Sequence, residues 1–454
     1  MPDVFSGDTE VGGNLGDVYI AREDLFAGTF VDGNGGTDTL DADGAWVIAD
    51  AVSLLDLEVL ALDTDTLTLS TTDFASFEDI TGSGAAVEGR VTLTPGAATF
   101  ATLDVLGLDR LTVNGSSIGE TLFFVTPLGS PPTRITLFGH EGNDILDTGD
   151  GDDRIHGNEN DDTLDGNGGA DRLFGEQNND TLIVRTEDIV VNGGGGNDTF
   201  VLTEQFIDQN PTEGTSLLGG AGTDTLRGAD AGTSWFLENT VTIQGIEKLA
   251  LDLDAISMSA SQLQTFTTIV QDGLSTTGEL LLGTGGTATT DVTGLTTLDV
   301  DVVGDFNDVY RLTFTTSGAV KTDITVEGAL AFDRLITGDG DDTLFGFDGN
   351  DVLKGNGGVD RLNGGADDDR LTGGANEDFF IFKGNFGQDV VLDFGTGVDR
   401  FDMDATLNFT ALTITAVDSD ADGAADDVRV AVGADRFDVL NTNLASIDAG
   451  DFLF

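Results

Sequence analysis

Between Gly139 and Val201 an Asp returns every ninth residue, and each is followed two places later by an apolar side chain. The carboxylates are those of Asp144, Asp153, Asp162, Asp171, Asp180 and Asp198, the sixth residues of units such as GNENDDTLD and GNGGADRLF. A second array, Gly328 to Ile381, repeats the pattern with Asp342, Asp351, Asp360, Asp369 and Asp378; its first unit, GALAFDRLI, is degenerate and makes Asp333 less secure. One unit, starting at Val184, keeps the spacing but has Ile189 in the sixth place. Carboxylates set a strand spacing apart repel unless a cation lies between them, and Asp oxygens with carbonyls from glycine-rich turns are ligands for a hard cation. Calcium is the natural occupant.

The unit must therefore be a device that lines these side chains up. Glycine at the first, second or fourth position allows positive φ, so six residues make a tight loop. The next three, such as Thr163-Leu164-Asp165, are extended and bury one apolar side chain. A single rung cannot cover that side chain, whereas stacked rungs bury a continuous ladder. A disordered Gly/Asp-rich segment would not keep an apolar residue at the eighth position.

These units resemble the RTX family of calcium-binding nonapeptide repeats. The resemblance implies a parallel β-roll with two nonapeptides per turn and Ca2+ between successive loops. On that pattern the sixth-position Asp residues are side-chain ligands, and second- and fourth-position residues such as Gly149 and Gly151 offer carbonyls. Ile189 cannot ligate, which interrupts the row. Two isolated nonapeptides, GNGGTDTLD from Gly33 and GGAGTDTLR from Gly219, add Asp38 and Asp224 as candidate ligands.

The chain has 82 acidic and 19 basic residues, a net charge of −63, which argues against nucleic acid and anionic membranes as partners. A saline habitat could contribute to that acidity but does not explain the repeats. If roughly ten ions were each present at about ten times their dissociation constant, linkage would supply roughly 14 kcal/mol. An ordinary domain has a net stability of roughly 5 to 15 kcal/mol, so calcium is expected to switch folding. Cysteine is absent, no run of 18 apolar residues suggests a spanning helix, and MPDVFSGDTE does not read as a cleaved signal peptide. The RTX resemblance instead implies type I export and a secreted, extracellular or cell-surface location. SIDAGDFLF at the end of the sequence resembles the uncleaved signal for that apparatus, and reads equally well as a closing β-strand.

The fold class that follows is all-β: parallel β-roll or β-solenoid arrays alternating with β-rich inserts, internally duplicated. LEVLALDTDTLTLS from Leu57 parallels IEKLALDLDAISMS from Ile246, and RITLFG at Arg134 parallels DITVEG at Asp323, both 189 positions on. The arrays end alike at NDTFVL and EDFFIF, 180 apart, as though the second copy had lost one nonapeptide. The expected organisation is 1–138, a β-rich region with the isolated nonapeptide 33–41; 139–201, the first roll; 202–218, a linker containing Pro211. There follow 219–327, a second insert with the isolated nonapeptide 219–227; 328–381, the second roll; and 382–454, a cap, calcium hairpin and secretion signal. Alternating Thr, Val, Leu and Ile make each insert a wider β-helix or sandwich, with short helices or turns at TTDFASFEDI and SASQLQTFTTI.

In the last segment Asp418, Asp420, Asp422 and Gly423 match the start of an EF-hand loop, but the twelfth position is Arg429 and the flanks read as strands. A calcium-binding β-hairpin completed by Asp426 or Asp427 is expected, the alternative being an acidic turn without an ion. Catalytic signals are weak. GSSIG around Ser117 fits a nucleophile elbow, but both histidines, His140 and His156, sit at repeat positions and HExxH is missing. The functional expectation is a secreted, non-enzymatic calcium-binding protein that builds a surface layer, matrix or adhesive assembly by self-association or by contact with cell-surface glycan. The alternative is a secreted polysaccharide-active enzyme or lectin with its site in an insert.

Overall fold

The computed structural model describes residues 110–126, 132–203, 214–229, 241–251, 255–271, 321–395, 398–421 and 424–454 without a break, and elsewhere the strands with a few flanking residues. Two compact units form: Met1–Glu204 with Asp208–Leu226 and Val241–Ile246, and Gln205–Ile207 with Arg227–Thr240 and Glu247–Phe454. Each is almost all β and is a parallel β-solenoid.

In the first unit one sheet runs in parallel register through Thr66–Ser70, Glu88–Thr94, Arg110–Asn114, Arg134–Glu141, Arg154–Glu159, Arg172–Gln177 and Val190–Gly195. The facing sheet runs through Val59–Leu62, Asp79–Gly82, Phe100–Leu106, Thr121–Val125, Ile145–Asp147, Thr163–Asp165, Thr181–Val184 and Thr199–Leu202. The insert and the array are thus one coil with two gauges. A turn advances 24 residues from Glu120 to Asp144 and 18 from Asp144 to Asp162. Eighth-position residues Leu146, Ile155, Leu164, Leu173, Leu182, Val191 and Phe200 are fully buried between the sheets, the ladder a lone rung could not cover.

The second unit repeats the design. Ala255–Met258, Thr277–Leu282, Thr297–Val302, Asp323–Glu327, Thr343–Asp348, Arg361–Ala366 and Phe379–Phe382 form one sheet. Lys248–Leu251, Thr268–Gln271, Gly286–Thr293, Tyr310–Thr316, Arg334–Ile336, Val352–Gly357, Arg370–Ala375 and Gln388–Val391 form the other. The duplication is visible in the elements: helix Thr71–Phe74 and helix Ala260–Leu263 start 189 residues apart, inside the two segments expected to hold short helices. The second helix has a full capping box, Ser259 with Gln262. After the array, Phe382, Phe401 and Phe437 close the core, with Phe382 and Phe437 stacked 3.9 Å apart. Strand Phe452–Leu453 pairs with Arg400–Met403, so SIDAGDFLF contributes a closing strand.

Two boundaries differ from the sequence reading. Strand Ser216–Ala221 pairs with Val190–Gly195, so residues 216–218 of the expected linker 202–218 belong to the sheet; Pro211 lies outside the described residues. The unit from Gly219 is not isolated but is the next rung of the first array. A spacing eight residues longer than the 18-residue register hid the connection: the Asp198 N–H reaches Asp224 Oδ1 at 2.8 Å across 26 positions. Asp38 is buried ahead of strand Thr39–Ala42, which pairs with Val59–Leu62; 33–37 lie outside the described residues.

Candidate metal centre

Most of the loops turn on their second and fourth residues. φ is positive at Asn158, Asn167, Asn356 and Gly149 in the second place, and at Gly142, Gly151, Asn160, Gly169 and Asn178 in the fourth. The first-position glycine, expected to share that role, has a different one. At Gly157 an added Cβ would stand 2.3 Å from Asp162 Oδ2, and at Gly175 2.2 Å from Asp180 Oδ2. That glycine is a clearance for the carboxylate five residues on.

The sixth-position carboxylates form ladders, each Oδ1 accepting the backbone N–H one turn earlier. In the first array Asp144 N–H donates to Asp162 Oδ1 at 2.8 Å, Asp162 to Asp180 at 2.8 Å and Asp180 to Asp198 at 2.9 Å. On the other side Ile135 donates to Asp153 and Asp153 to Asp171. In the second array Asp333 donates to Asp351 and Asp351 to Asp369, while Asp342 donates to Asp360 and Asp360 to Asp378. These ladders run on to Asp389 and Asp399, which sequence reasoning missed because the spacing stretches to 20 and 21 residues beyond the array.

The second oxygen is left over. Oδ2 of Asp144, Asp153, Asp162, Asp171, Asp180, Asp198, Asp342, Asp351, Asp360, Asp369 and Asp378 is buried and accepts no hydrogen bond. Burial, opposed by the N–H each accepts and reinforced by neighbouring carboxylates, pushes Asp144, Asp153, Asp180 and Asp351 up to about 8. Asp162, Asp171, Asp342, Asp360, Asp369 and Asp378 reach about 7, and Asp198 about 6. Rows of buried anionic oxygens with an open coordination position are the donor set of a hard cation. Asp333 differs: both its oxygens accept backbone N–H groups, from Tyr310 and Ala329, at 2.6 Å.

Fifth-position side chains make an outer ladder of opposite sense, accepting from the following turn. Asp161 takes the Asn179 N–H, Asn179 that of Asn197, and Asn197 that of Thr223. This accounts for the Asn and Asp residues that precede the sixth-position Asp. The Val184 unit also has its own solution. Asp188, one place before Ile189, is buried, takes the Arg185 N–H on Oδ2 and leaves Oδ1 open. Arg185 makes a bidentate pair with Asp165 at 2.8 and 2.7 Å, a fixed positive charge in the rung whose sixth residue is apolar.

In the C-terminal hairpin, Thr413–Val417 pairs antiparallel with Asp427–Val432. Carboxylate oxygens of Asp418, Asp420 and Asp427 lie within 4.8 Å of one another, while Asp426 is exposed and Asp422 lies outside the described residues. Asp427 is committed to the backbone, its oxygens accepting from Ser419 and Asn441. GSSIG joins strand Arg110–Asn114 to strand Thr121–Val125, where a nucleophile elbow leads from strand to helix; in it Ser116 is buried and its hydroxyl is held by Glu120.

A family model described as RTX calcium-binding nonapeptide repeat matches in four copies, at residues 136–155, 147–182, 327–362 and 354–391. No curated protein matches the sequence. Among solved structures the chain is similar to the crystal structure of extracellular lipase LipA from Serratia marcescens, at 15% identity and a TM-score of 0.21, over 76% of this chain. The alignment spans 40% of that lipase. The arrays are RTX nonapeptide repeats, and such repeats bind calcium ions.

Proposed function

We propose that this chain, whose arrays are calcium-binding RTX repeats, is an exported structural protein that folds on meeting calcium outside the cell and then builds a surface layer, matrix or adhesive assembly. The carrying observation is the row of buried Oδ2 atoms without a hydrogen-bond partner in both arrays. Their sixth-position Asp residues would hold the ions, with second- and fourth-position carbonyls. Bound calcium supplies the positive charge that lets these carboxylates stay ionised in the interior. RTX-repeat proteins are typically secreted, and among the described residues no helix is long and apolar enough to cross a membrane. Outside the C-terminal hairpin, both units put their described strands into parallel solenoid coils, which favours a scaffold over a catalyst.

Electron microscopy of the chain with calcium and with chelator tests the assembly. Sheets or fibres that dissolve in chelator support it; a monomer at high calcium and high protein concentration sinks it. The second reading, a polysaccharide-active enzyme or lectin, has one observation in its favour. A cleft of about 550 Å³ at the junction of insert and array is lined by Glu141, Glu159 and Glu176. Beside it His156 is stacked between Phe138 and Phe174 at 4.8 Å from each. Binding or turnover of an acidic polysaccharide by the calcium-loaded chain would decide for that reading.

A further inference from the structure

We propose that Glu120 and Asp144 form an additional calcium site ahead of the first array, at the step from 24-residue to 18-residue turns. The stretch GSSIGETLF is a rung in disguise: Gly115 stands first, Glu120 sixth and Leu122 eighth. Leu122 is buried in the core ladder, and the Glu120 N–H donates to Asp144 Oδ1 at 2.6 Å, as sixth residues do throughout the array. Gly115 also does the work of a first-position glycine. A Cβ there would lie 3.0 Å from Glu120 Oε2 and 2.5 Å from the Gly139 carbonyl oxygen.

The side chain is built in rather than draped on a surface. Glu120 is 1% exposed; Oε1 accepts the Ser116 N–H at 3.0 Å and the Ser116 hydroxyl, and Oε2 has no partner. Asp144 Oδ2 is likewise open. A buried carboxylate oxygen left unpaired is costly, the charge of Glu120 beside Asp144 adds to that cost, and a cation with oxygen ligands would remove it. Gly115 and Ser116, which flank the Glu120 carboxylate, also form part of the wall of the cleft, together with His140.

The second copy is an internal control. The residue in the place of Glu120 is Tyr310, whose N–H donates to Oδ1 of Asp333, the counterpart of Asp144, and the other oxygen of Asp333 accepts the Ala329 N–H. Where the carboxylate partner is missing, the open oxygen is missing too. Glu120 lies outside the matched repeats, which begin at 136 and include Asp144, and the assignment rests on the calcium reading of the arrays.

The test is the number of ions bound by the full chain at saturating calcium, counted by native mass spectrometry, with circular dichroism to confirm folding. Glu120→Gln keeps the size of the side chain and an acceptor for Ser116; a folded variant one ion short supports the site, and an unchanged count overturns it. Should Glu120→Gln not fold, Glu120→Asp decides, because Asp is the array's own sixth residue. The full count in folded Glu120→Asp supports the site, while a variant that folds one ion short, or not at all, overturns it. A wild-type chain that binds no calcium would instead remove the reading of the arrays themselves.

Discussion

An oxygen atom explains the first-position glycines better than backbone freedom does. At Gly193 a Cβ would stand 2.2 Å from Asp198 Oδ2, whereas at Gly195, two residues on, its nearest neighbour would be 3.7 Å away. Gly193→Ala is therefore expected to cost about 1 to 3 kcal/mol and raise the calcium needed for folding, while Gly195→Ala stays within about 0.5 kcal/mol. Thermal melts at fixed calcium measure the contrast; equal effects would dismiss the clearance argument. Protonation gives a second residue-scale expectation. The array carboxyls are raised from 3.8 to about 6 to 8 by burial, so in the calcium-free fold their contribution is present in acid and lost as pH rises through that range. In chelator, β-structure should increase as pH falls from 8 towards 5. The calcium midpoint should move higher over the same interval, since protons compete for Oδ2. What was legible at this scale was the sixth and eighth residues, whose identity is fixed by burial. Glu120 escaped because its loop lacks glycine at the second and fourth places, and Asp188 because it sits one position early.

For the strands and loops the governing quantity is the 18-residue register. Deleting 157–174 removes one whole turn and leaves every remaining strand facing its own sheet. Deleting 157–165 removes half a turn and sends each later strand to the wrong sheet, with its Asp on the wrong ladder. The first deletion should fold in calcium with fewer ions bound; the second should lose cooperative folding, which calcium-titrated circular dichroism would show. A single core residue is a smaller perturbation: Leu164, fully buried, is expected to cost about 2 to 5 kcal/mol on replacement by Ala. The periodicity that made the arrays readable also concealed the rung at Gly219. The backbone pairing with Val190–Gly195 and the Asp198–Asp224 hydrogen bond reveal that this rung belongs to the same coil. The inserts were readable as wide coils because alternation, unlike a loop signature, survives a change of turn length.

Charge dominates the behaviour of the chain as a whole. A net −63 opposes compaction at neutral pH, and 19 basic residues cannot offset it pair by pair. Chelator should therefore abolish most β-structure at pH 7 and low salt. Magnesium, which demands near-octahedral geometry and gives up water reluctantly, should restore it poorly at the same concentration. Recovery with magnesium equal to that with calcium would place the folding energy in general charge screening instead of the loops.

The number of rungs carries information of its own. The uninterrupted part of the first array, 139–201, has seven nonapeptides, so its last strand, Thr199–Leu202, returns to the sheet of its first, Ile145–Asp147. The second has six; it opens on Arg334–Ile336 and closes on Phe379–Phe382, in the opposite sheet. Odd and even counts act as a parity bit: one unit hands on its chain in phase, the other half a turn out. A single nonapeptide gained or lost between relatives would leave the core chemistry intact while turning everything downstream to the other side of the coil.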